Sequence, residues 1–136
     1  MTLNTYLHFN GNCEEALKFY EKALDAKIES MFRHEGTPAA EHVPAEWRSK
    51  IMHARLNVRG HRLMASDVPP DSYQKPQGFA VSLGITDVAE AERIFHALEE
   101  NATVLMPLQK TFWAESFGML TDQFGIPWMI NCGPHA

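Results

Sequence analysis

Residues 117–131 have the sequence FGMLTDQFGIPWMIN, in which two mostly apolar runs flank the polar turn TDQFG. Apolar runs separated by Asp and Gly predict two neighbouring strands, which we place at 115–121 and 126–131. A weak copy of the second run occurs earlier in the chain at a constant offset: Gly60, Leu63 and Met64 align with Gly125, Trp128 and Met129. The copy indicates that one structural module occurs twice.

The rest of the chain carries the other elements of two such modules. Alternation of apolar and polar residues is clearest at 51–59 and predicts a strand. Apolar residues at helical spacing predict one helix over 12–25, capped by Asn12, and a second helix capped by Asp87 that continues to Leu98. The remaining predicted strands are 2–9, 27–33, 61–66, 79–85 and 103–105, and Gly36, Pro38 and Pro44 make 35–49 a long loop.

This order of elements predicts an α+β fold built from two tandem βαβββ modules. We place the first module at 1–68 and the second at 77–132, within one domain that spans 1–136. Two copies of one module commonly form a pseudo-twofold domain, so we expect the binding site between the copies.

Composition and charge exclude several classes of function. Lys and Arg total 12 against 17 Asp and Glu, so the net charge is −5, and we expect no nucleic-acid partner. No apolar run is long enough to span a membrane, and the N-terminus does not resemble a signal peptide. Cys13 and Cys132 fit no zinc spacing and are typical of free thiols in a reducing, cytoplasmic setting. A small molecule or another protein chain is the expected partner.

Several motifs together resemble the PhnB-like branch of the glyoxalase/bleomycin-resistance/dioxygenase (vicinal oxygen chelate) superfamily. They are Tyr6-Leu7-x-Phe9-x-Gly11-Asn12-x-Glu14-Glu15-Ala16 with Phe19-Tyr20, Leu63-Met64-Ala65-Ser66-Asp67, and Thr111-Phe112-Trp113-Ala114 with the 117–131 region. The resemblance spans almost the whole chain. It implies paired βαβββ modules whose sheets curl around a cleft, commonly in a homodimer.

The resemblance also implies a divalent metal held by His, Gln or Glu from the first and last strands of each module. The last-strand positions fall on Met64 and Met129. The first-strand position of the first module falls on Asn4 or Thr5, and the equivalent position of the second module falls on Phe79 or Ala80. We prefer Asn4 with Phe79, because this choice directs Leu7 and Phe9 toward the helix. Thioethers and one amide do not suit a hard or borderline cation, so we expect no metal and no cofactor. Glyoxalase and dioxygenase chemistry is correspondingly disfavoured.

Strand alternation then selects the residues expected to face the cleft. The first and third strands supply polar or aromatic side chains that can bind a ligand. Among them, Arg55 is suited to binding a carboxylate or a phosphate. Methionines and aromatic residues supply apolar contacts. The predicted ligand-binding residues are Tyr6, His8, His53, Arg55, Asn57, Met64, Ser66, Phe79, Trp113 and Met129.

Three functional hypotheses remain open from the sequence. The first is a metal-free, small-molecule-binding protein. The second is a lyase, isomerase or dioxygenase whose metal is held by residues such as His8, His53 and Asp67. The third is a dimeric scaffold without a ligand. Cys13, at the start of a helix, is a further candidate for a reactive thiol, because the helix dipole can lower a thiol pKa. No Gly-x-Ser-x-Gly elbow or glycine-rich phosphate loop is present in the sequence.

Overall fold

Two four-stranded sheets, each with one helix, form the protein in a computed structural model that describes residues 1–134. His135 and Ala136 lie outside the described residues. The chain divides into two compact units, Met1–Gln74 and Lys75–Ala136, which have the same order of elements. The predicted α+β fold with two βαβββ modules is therefore confirmed, whereas the single domain with a site between the modules stays a prediction.

The first unit contains β1 to β4 and α1. Its elements are β1 Thr5–Phe9, α1 Cys13–Leu24, β2 Lys27–Arg33, β3 Ile51–Val58 and β4 His61–Asp67. The strand order is β1-β4-β3-β2, with β1 parallel to β4 and the other pairs antiparallel. Alternate residues of β1, Leu7 and Phe9, are buried, and the Phe9 ring lies 6.4 Å from the ring of Tyr20 on α1. One face of the sheet is thus covered by α1.

The second unit repeats this arrangement with β5 to β8 and α2. Its elements are β5 Val81–Ile85, α2 Val88–Leu98, β6 Thr103–Gln109, β7 Ser116–Thr121 and β8 Pro127–Cys132. The strand order is β5-β8-β7-β6. A Cβ added to Gly118 of β7 would lie 2.7 Å from Cε2 of Phe95 on α2, so only glycine allows this close approach. Sheet and helix are therefore in direct contact in this unit as well.

A buried aspartate, Asp67, replaces the predicted cap of α1. Asn12 occupies the N-cap position, but its side chain makes no capping hydrogen bond, so the predicted role of Asn12 is wrong. Instead, Oδ1 of Asp67 accepts a hydrogen bond from the backbone N–H of Cys13 at 2.9 Å. Oδ2 of Asp67 accepts a second bond, from the backbone N–H of Ile51 at 2.8 Å. One carboxylate thus joins the end of β4 to the starts of α1 and β3.

The predicted loop at 35–49 is confirmed, and the residues on either side of it, Arg33 and Lys50, form hydrogen bonds near the start of α1. Two short turns of 3-10 helix occupy Pro38–His42 and Ala45–Trp47. Nζ of Lys50 donates to the carbonyl of Gly11 at 2.8 Å, and the guanidinium of Arg33 donates to the carboxylate of Glu14 at 2.9 Å. The hydrogen bond from Arg33 is the main cause of a lowered pKa for Glu14.

Removing one acceptor from the buried aspartate should weaken the first unit. We expect Asp67→Asn to lower the free energy of unfolding by about 2 kcal/mol, because the amide group leaves one buried backbone N–H without an acceptor. Urea unfolding followed by circular dichroism measures the change. Asp71→Asn, at an exposed loop position, is the matched control. Equal stability of the two variants would contradict this role of Asp67.

Candidate functional site

The face of the first sheet that α1 does not cover, here called the first front face, brings together most of the predicted binding residues. Strand pairing places Tyr6 opposite Met64, and Met64 opposite Arg55, so these three side chains form one row across β1, β4 and β3. His8 lies opposite Ser66 in the next row. Because paired residues point to the same side of a sheet, all five share this face.

Tyr6 and His53 are joined directly on the first front face. The hydroxyl of Tyr6 lies 3.1 Å from Nδ1 of His53, within hydrogen-bond distance, although 47 residues separate them in sequence. The ring of His8 meets the Tyr6 ring edge-on, with 5.3 Å between centroids. Tyr6 is 40% exposed, so this aromatic cluster can be reached from solvent. Two imidazoles and a phenol are thereby held together by contacts with one another.

Arg55 and Phe32 extend the cluster toward β2. Arg55 is exposed and forms no salt bridge within residues 1–134, so its guanidinium is available to an anion. Phe32 of β2 lies opposite His53 and is 53% exposed. Phe32 is not among the residues predicted from the sequence. An irregularity between Ile28 and Ser30 shifts the alternation of β2, so the side of the sheet that Phe32 faces does not follow from its sequence position alone.

Asn57 has a local structural partner. Its Oδ1 accepts a hydrogen bond from the backbone N–H of Gly60 at 2.7 Å. Arg59 and Gly60 both have positive φ, at 52° and 90°, which is the backbone conformation of a tight hairpin turn. The side chain of Asn57 therefore stabilises the β3–β4 turn, and its role in ligand binding stays a prediction.

Asp67 faces away from the histidines with which the metal hypothesis grouped it. It follows Ser66 directly in β4, so its side chain points to the opposite side of the sheet, under α1. Both of its carboxylate oxygens accept hydrogen bonds from buried backbone N–H groups. His8, His53 and Asp67 thus do not form one ligand set.

The second sheet also has a face that its helix does not cover, here called the second front face. Met129 lies on it, between Ser82 of β5 and Met119 of β7. Trp113 precedes β7 and is 44% exposed, and its ring lies 5.4 Å from the ring of Phe117. Trp113 thereby helps to shield Phe117, which is only 6% exposed.

Phe79 lies outside the strand to which the sequence analysis assigned it. Strand β5 begins at Val81, and Phe79 is half exposed before it. The register makes Tyr6 and Ser82 equivalent, because each lies opposite the methionine of the last strand in its unit. Ser82 therefore joins the candidate residues, whereas a binding role for Phe79 stays a prediction.

The same register corrects the pairing of the first-strand positions. Two residues before Tyr6 is Asn4, and two residues before Ser82 is Ala80, so Ala80 rather than Phe79 is the counterpart of Asn4. The predicted pairing with Phe79 is wrong by one residue. The turn before α1 is one residue longer than the turn before α2, which shifts the strands of the two units relative to their helices.

Cys13 does not have the environment of a reactive thiol. It is fully buried at the start of α1. Burial raises the pKa of the thiol, and the nearby carboxylates of Asp67 and Glu14 raise it further. Cys13 therefore does not have the lowered pKa that a helix dipole can cause, because desolvation and like charge outweigh the dipole here. Cys132 is also buried, and burial raises the pKa of its thiol as well.

Comparison with known proteins identifies the family. The model described as "Glyoxalase/Bleomycin resistance protein/Dioxygenase superfamily" matches residues 2–130. The chain belongs to this superfamily. It is 36% identical over 139 residues to protein YjdN of Escherichia coli (strain K12), covering 96% of this chain and 95% of YjdN.

Solved structures of the superfamily fold agree with this membership. The crystal structure of protein PA1353 from Pseudomonas aeruginosa matches with a TM-score of 0.88 and 48% identity over 98% of both chains. A Bacillus cereus protein described as a putative 3-demethylubiquinone-9 3-methyltransferase, PhnB protein, matches with a TM-score of 0.84 and 24% identity, covering 98% of this chain and 100% of that one. This second likeness concerns the fold alone. The superfamily resemblance inferred from the sequence is confirmed by the family model.

The donor set does not fit the divalent metal that the superfamily resemblance implies. With the corrected register, the four ligand positions carry Asn4, Met64, Ala80 and Met129. None of these side chains is a carboxylate or an imidazole. Within residues 1–134, no three His, Cys, Asp or Glu side chains are grouped so that they could hold an ion. This chain of the superfamily therefore lacks, at those positions, the ligands that a hard or borderline cation prefers.

None of the helices in residues 1–134 is both long and apolar enough to cross a bilayer.

The environment of Cys13 predicts slow modification of the native protein. We expect iodoacetamide at pH 8 to label Cys13 far more slowly than it labels the urea-unfolded chain, because the buried thiol stays protonated and shielded. Mass spectrometry of the digested protein after timed labelling measures both rates. Rapid labelling of Cys13 in the folded protein would show that its environment is not the one described.

Proposed function

We propose that this protein binds a small organic anion on the first front face, without a divalent metal. The observation that carries the proposal is the hydrogen-bonded pair of Tyr6 and His53 beside the unpaired guanidinium of Arg55. Tyr6 shares a row with Arg55, and His53 lies two residues from Arg55 on the same side of β3. These groups come from two different strands, and only the fold brings them together.

Each side chain has a distinct part in the proposed binding. Arg55 presents a planar fork of N–H donors, which suits a carboxylate or a phosphate ester. Nδ1 of His53 is engaged with Tyr6, so its Nε2 is the nitrogen left to contact a ligand. Met64, beside both Tyr6 and Arg55, and Phe32, opposite His53, supply apolar contact for the organic part. The expected ligand therefore carries one anionic group on an apolar or aromatic body.

The alternative of a metal-dependent lyase, isomerase or dioxygenase is less well supported. Its proposed ligands His8 and His53 share a face that the carboxylate of Asp67 does not reach. The scaffold hypothesis leaves the exposed and unpaired guanidinium of Arg55 without a role. Our proposal also includes a homodimer, for which superfamily membership is the support, and light scattering tests the oligomeric state. It includes a cytoplasmic location as well, for which the free thiols of Cys13 and Cys132 are the support.

Simple aromatic anions test the proposal directly. We expect benzoate and phenyl phosphate to shift the NMR signals of Tyr6, His8, His53 and Arg55, and the neutral benzyl alcohol to shift them much less. Arg55→Gln should weaken the binding of either anion by about tenfold, which corresponds to about 1.4 kcal/mol, because a charge-assisted hydrogen bond is lost.

Arg93→Gln is the matched control, since it removes the same charge from an exposed position on α2. Equal affinity of Arg55→Gln and the unchanged protein would remove Arg55 from the site. Failure of both anions to perturb any signal on the first front face would favour the scaffold hypothesis.

A further inference from the structure

The register of the second sheet aligns three methionines that are far apart in sequence. Met106 of β6 lies opposite Met119 of β7, and Met119 lies opposite Met129 of β8. Paired residues of neighbouring strands share a side, so the three thioethers form one row across three strands. We call Met106, Met119 and Met129 the methionine row.

The methionine row lies on the second front face. The neighbours of Met119 along β7, Gly118 and Leu120, are buried, and a Cβ added to Gly118 would point at the ring of Phe95 on α2. Since strand residues alternate in direction, Met119 points away from the helix. All three methionines are half-buried rather than fully exposed or fully enclosed. These three side chains are thus open to an ion from solvent and are not enclosed in the core.

We propose that the methionine row binds a soft monovalent cation of the Cu(I) or Ag(I) class. Thioether sulfur is a soft ligand that selects Cu(I) over the harder divalent ions. Neighbouring strands are about 4.8 Å apart, so the outer two methionines are separated by about 10 Å at the backbone. Their unbranched, flexible side chains can swing toward Met119 from both sides, which brings three sulfurs around one ion.

The surrounding positions favour a soft ion over a hard one. The row continues to Ser82 of β5, and the next row contains Asn131 opposite Phe117 and Phe117 opposite Gln109. None of these paired positions carries a carboxylate or an imidazole, so a divalent ion would find no anionic oxygen there. A thioether does not have to lose a proton to bind, and one positive charge needs less compensation than two.

This site differs from the metal position that the superfamily resemblance implies. That position draws on the first and last strands of each module, and of the methionine row only Met129 belongs to it. Met106 and Met119 come from β6 and β7, which are neither first nor last in their module. The methionine row also goes beyond the proposed function, because it lies on the second sheet, whereas the anion groups lie on the first.

Methyl NMR of the full chain, labelled with 13C at the methionine methyl groups, tests the site. With one equivalent of Ag(I), we expect the methyl signals of Met106, Met119 and Met129 to shift together. The other four methionines, which are Met1, Met31, Met52 and Met64, should keep their positions. Each signal is assigned by the loss of one peak in the corresponding Met→Leu variant.

The same variants separate ligation from packing. Leucine nearly conserves the volume of methionine but offers no sulfur, so the fold should be kept. Each of Met106→Leu, Met119→Leu and Met129→Leu should weaken Ag(I) binding at least about tenfold by calorimetry, because one of three metal–sulfur bonds is lost. Met31→Leu is the control, since Met31 lies opposite Ala54 in the first sheet and has no methionine across from it.

Clear outcomes would overturn the proposal. These are shifts confined to other methionines, an Ag(I) affinity unchanged in the Met106→Leu and Met129→Leu variants, or no saturable binding at all. If Met119→Leu fails to fold, the shift pattern of the unchanged protein and the two outer variants still decide. Silver binding that is lost on replacing Cys13 or Cys132, and not on replacing any of the three methionines, would equally contradict the site, because neither thiol belongs to the methionine row.

Discussion

The carboxylate of Asp67 is the constraint on which the first unit depends. Its two oxygens accept hydrogen bonds from the backbone N–H groups that begin α1 and β3, while its own backbone ends β4. Buried N–H groups at such points would otherwise lack partners, because each begins an element. By directing Asp67 toward the helix, strand alternation directs Ser66 and Met64 to the first front face. The direction of these candidate site residues thus follows from the attachment of β4 to the helix through Asp67.

Asp122 has a related part in the second unit. One of its oxygens accepts from the backbone N–H groups of Phe124 and Ile126, and the other accepts from the indole N–H of Trp128. This carboxylate closes the turn between β7 and β8 and fixes the ring of Trp128 in the core. Both units therefore use a buried aspartate to bind backbone N–H groups, but at different points of the module, so the two modules are not exact copies.

Sequence patterns predicted the fold well because both helices and most strands have strong periodicity. Strand β2 and the apolar span of α2 match their predicted ranges. Strand β6 continues to Gln109, beyond the predicted end at 105, because Pro107 is tolerated on the edge of a sheet. The cap of α1 was mistaken because Asp67 is 54 residues away from Cys13, a distance at which local patterns carry no information.

The candidate site was predicted only in part, for a related reason. Alternation within one strand identifies which residues share a side, and it placed Tyr6 with His8. Which residue of the next strand lies opposite depends on register, and bulges in β2 and β6 shift that register without a sequence signal. Phe32 and the alignment of Met106 with Met119 became visible only in the structure.

The four ligand positions of this superfamily fold do not suit a divalent ion. Asn4, Met64, Ala80 and Met129 occupy those positions, and Asp67 is committed to backbone N–H groups. Calorimetric titration of untagged, chelator-stripped protein with Zn²⁺, Ni²⁺, Mn²⁺ and Fe²⁺ shows whether these positions hold an ion. We expect no stoichiometric binding of any of the four ions. Tight binding of one ion per chain or per dimer would contradict this expectation and would favour a metal-dependent enzyme.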